Sequence, residues 1–268
     1  ALAMGGAGIA QYADPSTIYF NPAGSLFLTR SLHLMHAENF GGLVRNEFGS
    51  VVVPRTNAAV GLGFQLLTAG DIKFTTVPDT RQPPGIENPP YAYDTVGAKD
   101  AILYINASRG NGMFAYGGNI KIYYRDLTAI SGFGGGLDLG GILNLEYVRI
   151  GAAVRDVILS PLIWSNGTKE TISSKIALGF APVIPLEKIQ SRIILEIDFL
   201  KYLDLPGFAV NTGFEFGYHN MLFGRFGINE GNITLGAGLR YKKLVIDYAF
   251  INHTYLKDSN KISAGLEF

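Results

Sequence analysis

The sequence predicts an all-β chain: a transmembrane, antiparallel β-barrel of about 14 strands preceded by a short, irregular N-terminal piece. Three observations predict it. Apolar residues alternate with small or polar ones at period two, over segments of about ten residues. The links between these segments tend to be short and long in turn. Glycine and aromatic residues are abundant while charge is scarce.

The composition bounds the class. There are 34 Gly, 17 Phe and 14 Tyr but only 1 Trp, and charged residues make up 16%, against about 25% for a soluble protein. Lys+Arg and Asp+Glu are equal at 22 each, which argues against a nucleic-acid partner. There is no cysteine, so disulfides and Cys-based zinc sites are excluded. No run of 18 apolar residues occurs, so no membrane-spanning helix is expected. No basic and apolar leader precedes Ala1, so a processed N-terminus is expected.

The division expected is a hatch over 1–30 and a barrel over 31–268. From Met4 to Gly24 the chain is rich in Gly and Ala, with turn chemistry at Asp14-Pro15 and Asn21-Pro22 and no strand alternation. Strands are expected near 31–40, 43–54, 57–68, 96–109, 113–128, 133–143, 146–157, 172–182, 190–200, 208–218, 220–229, 232–241, 243–252 and 260–268. In the fifth, Phe114, Tyr116, Ile120, Ile122 and Tyr124 oppose Ala115, Asn119, Lys121, Tyr123 and Arg125. In the ninth, Ile193, Leu195, Ile197 and Phe199 oppose Arg192, Glu196 and Asp198. One face is apolar. The other is Gly, Ala, Ser and charge, which suits the inside of a filled barrel. Segments of this length match transmembrane barrel strands of roughly 9–11 residues.

Short links are expected at Arg55-Thr56, Gly110 to Gly112, Asn144-Leu145, His219 and Lys242. Long ones are expected over Ala69 to Tyr93, Ile158 to Thr171, Lys201 to Pro206 and His253 to Ser259. The links at Gly41-Gly42, Glu230-Gly231 and Pro185 to Ile189 break this rule. An even strand count places both ends of the barrel on one side. The chain ends in Phe268 after an alternating strand, which resembles the C-terminal signature that the outer-membrane barrel-assembly machinery reads.

Met4-Gly-Gly-Ala-Gly8 and Ala13 to Gly24, with its Asn21-Pro22-Ala23-Gly24 core, resemble the N-terminal signature of the FadL-type and PorV/PorQ-like outer-membrane families. The resemblance implies a fourteen-stranded barrel with that motif in an internal hatch, and a location in the bacterial outer membrane. It implies one of two functions. A FadL-like barrel binds or passively passes small hydrophobic molecules. A PorV-like barrel passes nothing and serves as a partner-binding component of a secretion or envelope assembly. FadL-type members are usually longer than 268 residues. The partners expected are outer-membrane lipid, a hydrophobic ligand or envelope proteins, and the assembly machinery.

Candidate sites follow from the faces. Lys121, Arg125, Arg149, Arg155, Arg192, Glu196, Asp198, Glu215, Arg225, Arg240, Asp247 and Glu267 are expected to point inward. Mixed signs favour salt bridges across the lumen and to the hatch over an ion-selective path. His33 and His36 are three apart on a strand and so face opposite ways, which is poor geometry for a shared metal. Gly134 to Gly136 lack the following helix of a phosphate loop. No nucleophile is placed beside His219 or His253. No enzyme activity, metal or cofactor is expected.

Overall fold

The alternating segments become, in the computed structural model, a sixteen-stranded antiparallel sheet, of which fourteen strands close into a barrel. The structure describes residues 1–157 and 160–268. The barrel strands are β1 (Ser31–Asn39), β2 (Val44–Arg55), β3 (Ala58–Thr76), β4 (Tyr91–Gly110), β5 (Phe114–Asp126), β6 (Ser131–Asn144), β7 (Val148–Arg155), β10 (Lys175–Leu186), β11 (Ser191–Tyr202), β12 (Ala209–Tyr218), β13 (Leu222–Asn229), β14 (Asn232–Tyr241), β15 (Leu244–Ile251) and β16 (Ser259–Glu267). Each pairs with its neighbour, and β1 pairs with β16 from Ser31↔Glu267 to Glu38↔Asn260, which closes the wall. β8 (Ser160–Trp164) and β9 (Lys169–Ile172) form a hairpin outside the barrel order, with β8 paired to β6 at Gly132 to Gly134.

The two faces separate as the alternation requires. On β5, Phe114, Tyr116, Ile120 and Tyr124 are exposed outward, while Ala115, Asn119, Lys121 and Tyr123 are buried inward. The same holds on β11, where Leu195, Ile197 and Phe199 face out and Glu196 and Asp198 are fully buried. An apolar outer surface of this extent fits a lipid environment and not water. One rim carries tight turns. At Glu230-Gly231, on the other rim, φ values of 47° and 87° allow a two-residue link.

The long link expected over Ala69 to Tyr93 is shorter than that. β3 runs on to Thr76 and β4 starts at Tyr91, with register shifts after Ala69 and Phe74. This hairpin rises above the rim, where both faces meet water and the alternation that marks a half-buried strand is lost. The link expected over Ile158 to Thr171 contains β8 and β9, and its residues Ile158 and Leu159 lie outside the described residues.

The residues before β1 hold little regular structure, and from Ala3 to Ser25 they pack against the inner face of the wall. They form a 3-10 turn at Leu2–Met4, α1 (Thr17–Phe20) and a 3-10 helix at Pro22–Phe27. Asn21 is extended, with φ −149° and ψ 110°. Its Oδ1 accepts from Ala23 N at 3.1 Å, and Pro22 opens the helix where a missing N–H costs nothing.

The strands make room for this segment with inward glycines. A Cβ at Gly151 would lie 2.1 Å from Ile9 O, one at Gly227 2.1 Å from Gly5 N, and one at Gly140 2.1 Å from Asn21 Oδ1. Gly117, Gly179, Gly213 and Gly236 likewise face Pro22, Ile9, Met4 and Ala3. The wall therefore carries a collar of glycines wherever the segment's backbone passes.

Candidate functional site

The Asn21-Pro22-Ala23-Gly24 motif is the most enclosed part of the segment. Asn21 and Ala23 have no exposure. The Asn21 amide donates to Ile9 O at 2.8 Å, within the segment, and to Gly141 O at 3.1 Å and Ala152 O at 3.3 Å, in the β6–β7 wall. Asn106 Nδ2 of β4 donates to Pro22 O at 3.1 Å, and Asn119 Nδ2 of β5 donates to Ile18 O at 2.9 Å. Ser25 Oγ donates to Asn106 Oδ1 at 2.6 Å. An irregular backbone leaves N–H and C=O groups without ladder partners, and here wall side chains supply them.

Two further anchors hold the first ten residues. Thr234 Oγ1 of β14 accepts from Gly5 N at 2.8 Å and donates to Ala3 O at 3.1 Å. On β11, Asp198 Oδ2 accepts from Gly8 N at 2.8 Å and Ile9 N at 3.1 Å, and Glu196 Oε1 accepts from Ala10 N at 2.9 Å. Two guanidiniums of β7 lie over rings of the segment, Arg149 over Tyr12 and Arg155 over Tyr19, each 4.3 Å from the centroid. Arg155 also draws the Tyr19 hydroxyl's pKa below its ordinary 10.0.

The inward charges form clusters along the wall, not bridges across the lumen. Lys121 Nζ sits 2.6 Å from Asp138 and 2.8 Å from Asp156. Arg125 grips Asp100 with two bonds, at 2.7 and 2.9 Å. Arg225 joins Glu215, at 2.7 Å, to Asp247, and Arg192 reaches Glu215 at 3.5 Å. Gly238 between them leaves the space: a Cβ there would meet both Asp247 and Arg225. Arg240 pairs with Glu267 at 2.5 Å.

Asp100, Asp138 and Asp156 were not singled out from the sequence. Asp138 shares the inward face of β6 and was open to the period-two reading. Asp156 lies beyond the end of β7 at φ 54°, where no period reaches. There it accepts from Tyr123 and Ser160, each at 2.6 Å.

His33 and His36 face opposite ways. His33 is buried in the lumen, 3.6 Å from Asp14, and His36 faces outward with Nδ1 2.6 Å from Glu47. Burial pushes the Asp14 carboxyl up, but His33 and the bonds from Ser16 more than offset this and hold it at about 2. Sequence alone carries no signal for the Asp14–His33 contact, because the two residues belong to different elements.

Among the described residues, the lumen holds a pair of chambers. One of about 180 Å³ lies between the segment and the β15, β16, β1 and β2 wall, lined by Met4, Phe20, Met35, Phe48, Ala249 and Lys261 among others. The second, of about 310 Å³, lies toward the long-link rim under the β8–β9 hairpin, lined by Ile102, Tyr104, Tyr123, Lys121, Arg155 and Ile172 among others. Tyr19 of the segment and Gln65 of β3 line both chambers and form the partition between them. Tyr104 donates to Gln65 Oε1 at 3.1 Å, which holds that side in place.

The chain resembles solved structures over nearly its whole length. It overlays the Pseudomonas putida toluene transporter TodX with a TM-score of 0.68 at 12% identity, covering 99% of this chain and 97% of that one. It overlays the Ralstonia pickettii toluene transporter TbuX with a TM-score of 0.64 at 13% identity, covering 99% and 97%. At this identity the likeness establishes a shared barrel fold. No family model matches the sequence, and no curated protein matches it.

Proposed function

We propose that the chain is a FadL-like barrel of the bacterial outer membrane that binds and passively passes small hydrophobic molecules, with residues 1–30 as its hatch. The observation that carries this is the pair of chambers in series, parted by Tyr19 of the hatch. The chamber beside the hatch, at about 180 Å³, is of the same order as the roughly 150 Å³ apolar cavity that holds benzene. Met35, Phe48 and Phe20 give it one apolar side, and Glu215, Arg225, Asp247 and Lys261 line the other. The two solved structures above are named as toluene transporters, which supports a ligand of one-ring size.

In this reading a ligand enters the outer chamber from the long-link rim. It reaches the partition and passes when Tyr19 and its neighbours shift. No bond is made or broken, and the barrel needs no cofactor. Lipid covers the apolar outer face in this reading. The alternative of a PorV-like, partner-binding platform gains no support from these structures.

Crystals soaked in bromobenzene test the proposal. Anomalous bromine density is expected beside Met35 and Phe48, and Phe48→Trp should abolish it by filling the chamber. Empty chambers in the soaked crystals, together with a protein that co-purifies on the rim, would refute transport and favour the platform.

A further inference from the structure

Glu196 and Asp198 stand apart from every other inward carboxylate pair. They lie two residues apart on one face of β11, so their Cα atoms are roughly 6.6 Å apart. Both are fully buried. The remaining inward acids described above have a cation beside them. These two have none: among the described residues, no Lys, Arg, His or terminal nitrogen lies within 4.0 Å of either carboxylate. Each uses one oxygen to accept hatch amides, and the other oxygens, Glu196 Oε2 and Asp198 Oδ1, have no partner at all. Asn211, which faces Asp198 across the β11–β12 ladder, has an unpartnered and buried Oδ1 as well.

The surrounding charges are few and placed at a distance. Arg192 lies on the same strand, Lys175 on β10, Glu215 on β12 and Arg149 and Arg155 on β7, the last two turned onto Tyr12 and Tyr19. Tyr12 and Asp14 are the titratable side chains of the hatch nearest in sequence. Two adjacent, buried negative charges without a cation repel strongly at low dielectric. One proton between the two orphaned oxygens removes that repulsion and supplies the missing donor. The remaining single charge still accepts the three amides of Gly8, Ile9 and Ala10.

We propose that Glu196 and Asp198 form a proton-binding site that latches the hatch to β11. With one proton bound, the latch is closed. As the pH rises the proton leaves to solvent, the two charges repel, and the grip on Gly8, Ile9 and Ala10 loosens. The proposal rests on residues 1–30 being the movable part of the proposed channel. Its test reads the hatch directly, whether or not anything passes through the barrel.

The chain has no native cysteine, so single cysteines report cleanly. Ala7→Cys places a thiol at a fully buried hatch position, and Ala13→Cys places one at an exposed position. Each is reacted with a water-soluble maleimide in detergent, and the ratio of the two rates cancels the thiol's own pH dependence. The ratio should rise about tenfold between about pH 6 and about pH 9, a change of about 1.4 kcal/mol in latching. In Glu196→Gln, which carries the shared proton's charge state permanently and keeps the acceptor for Ala10, the ratio should stay flat. A flat ratio in the unmodified pair overturns the proposal. So does an equal rise in Glu196→Gln, or a ratio that follows sodium concentration at fixed pH. Heat-modified gel migration, which reads the barrel and not the hatch, confirms that each variant is folded.

Discussion

Replacing Asn21 by Ala isolates what the central motif contributes. The side chain makes one strong bond to Ile9 O at 2.8 Å, two longer ones to Gly141 O and Ala152 O at 3.1 and 3.3 Å, and accepts one from Ala23 N at 3.1 Å. The two wall carbonyls already serve the β6–β7 ladder, where Gly141 pairs with Ala152, so their share is the smaller. With about 1 kcal/mol for a net hydrogen bond and less for the longer ones, the loss is about 2–3 kcal/mol. The barrel ladders are untouched, so this loss should appear as release of the hatch and not as unfolding. Hydrogen exchange of peptides from residues 1–30 should speed up about 30- to 150-fold, while peptides from β11 to β16 keep their rates. Asn21→Asp should be worse than Asn21→Ala, because a second carboxylate oxygen would face three carbonyl oxygens with no donor. Unchanged exchange in Asn21→Ala, equal acceleration over the barrel, or an Asn21→Asp variant tighter than Asn21→Ala would refute the reasoning.

Gly227→Ala sets a Cβ 2.1 Å from Gly5 N and 2.2 Å from Met4 C; backbone cannot yield there, so a cost of about 1–3 kcal/mol should expose the first residues to limited proteolysis. Arg225→Met leaves Asp247 without a cation and Glu215 with only the 3.5 Å contact to Arg192, and should lower barrel stability by about 3 kcal/mol; thermal unfolding in detergent should show it, and adding Glu215→Gln and Asp247→Asn should restore most of the loss. Asp14 has a pKa of about 2 when docked against an ordinary 3.8, so its contribution is complete above the ordinary value and fades as pH falls toward 2. Hatch docking, followed by intrinsic exchange-corrected protection, should weaken in that acid window, and Asp14→Asn should lack this limb.

The barrel was legible because its strands have two different surroundings. An apolar outer face on one side and a packed lumen on the other give a period-two contrast that any single strand, such as β5 or β11, displays. That contrast located all fourteen barrel strands. Where the contrast fails the reading fails, as in the upper halves of β3 and β4, where water bathes both faces, and in β8 and β9, which lie within a link.

The sequence by itself determined the alternating barrel and the irregular N-terminal segment, since both depend on local order along the chain. Only the tertiary structure decided which inward charges meet, because Arg225 finds Asp247 across an intervening strand and Asp14 finds His33 from another element. It alone showed that Gly140, Gly151 and Gly227, distant in sequence, form one collar around the N-terminal segment. It alone left Glu196 and Asp198 together without a cation. Closure of the barrel brings such residues to the same depth, and the depth of a residue depends on the stagger of every strand in the wall.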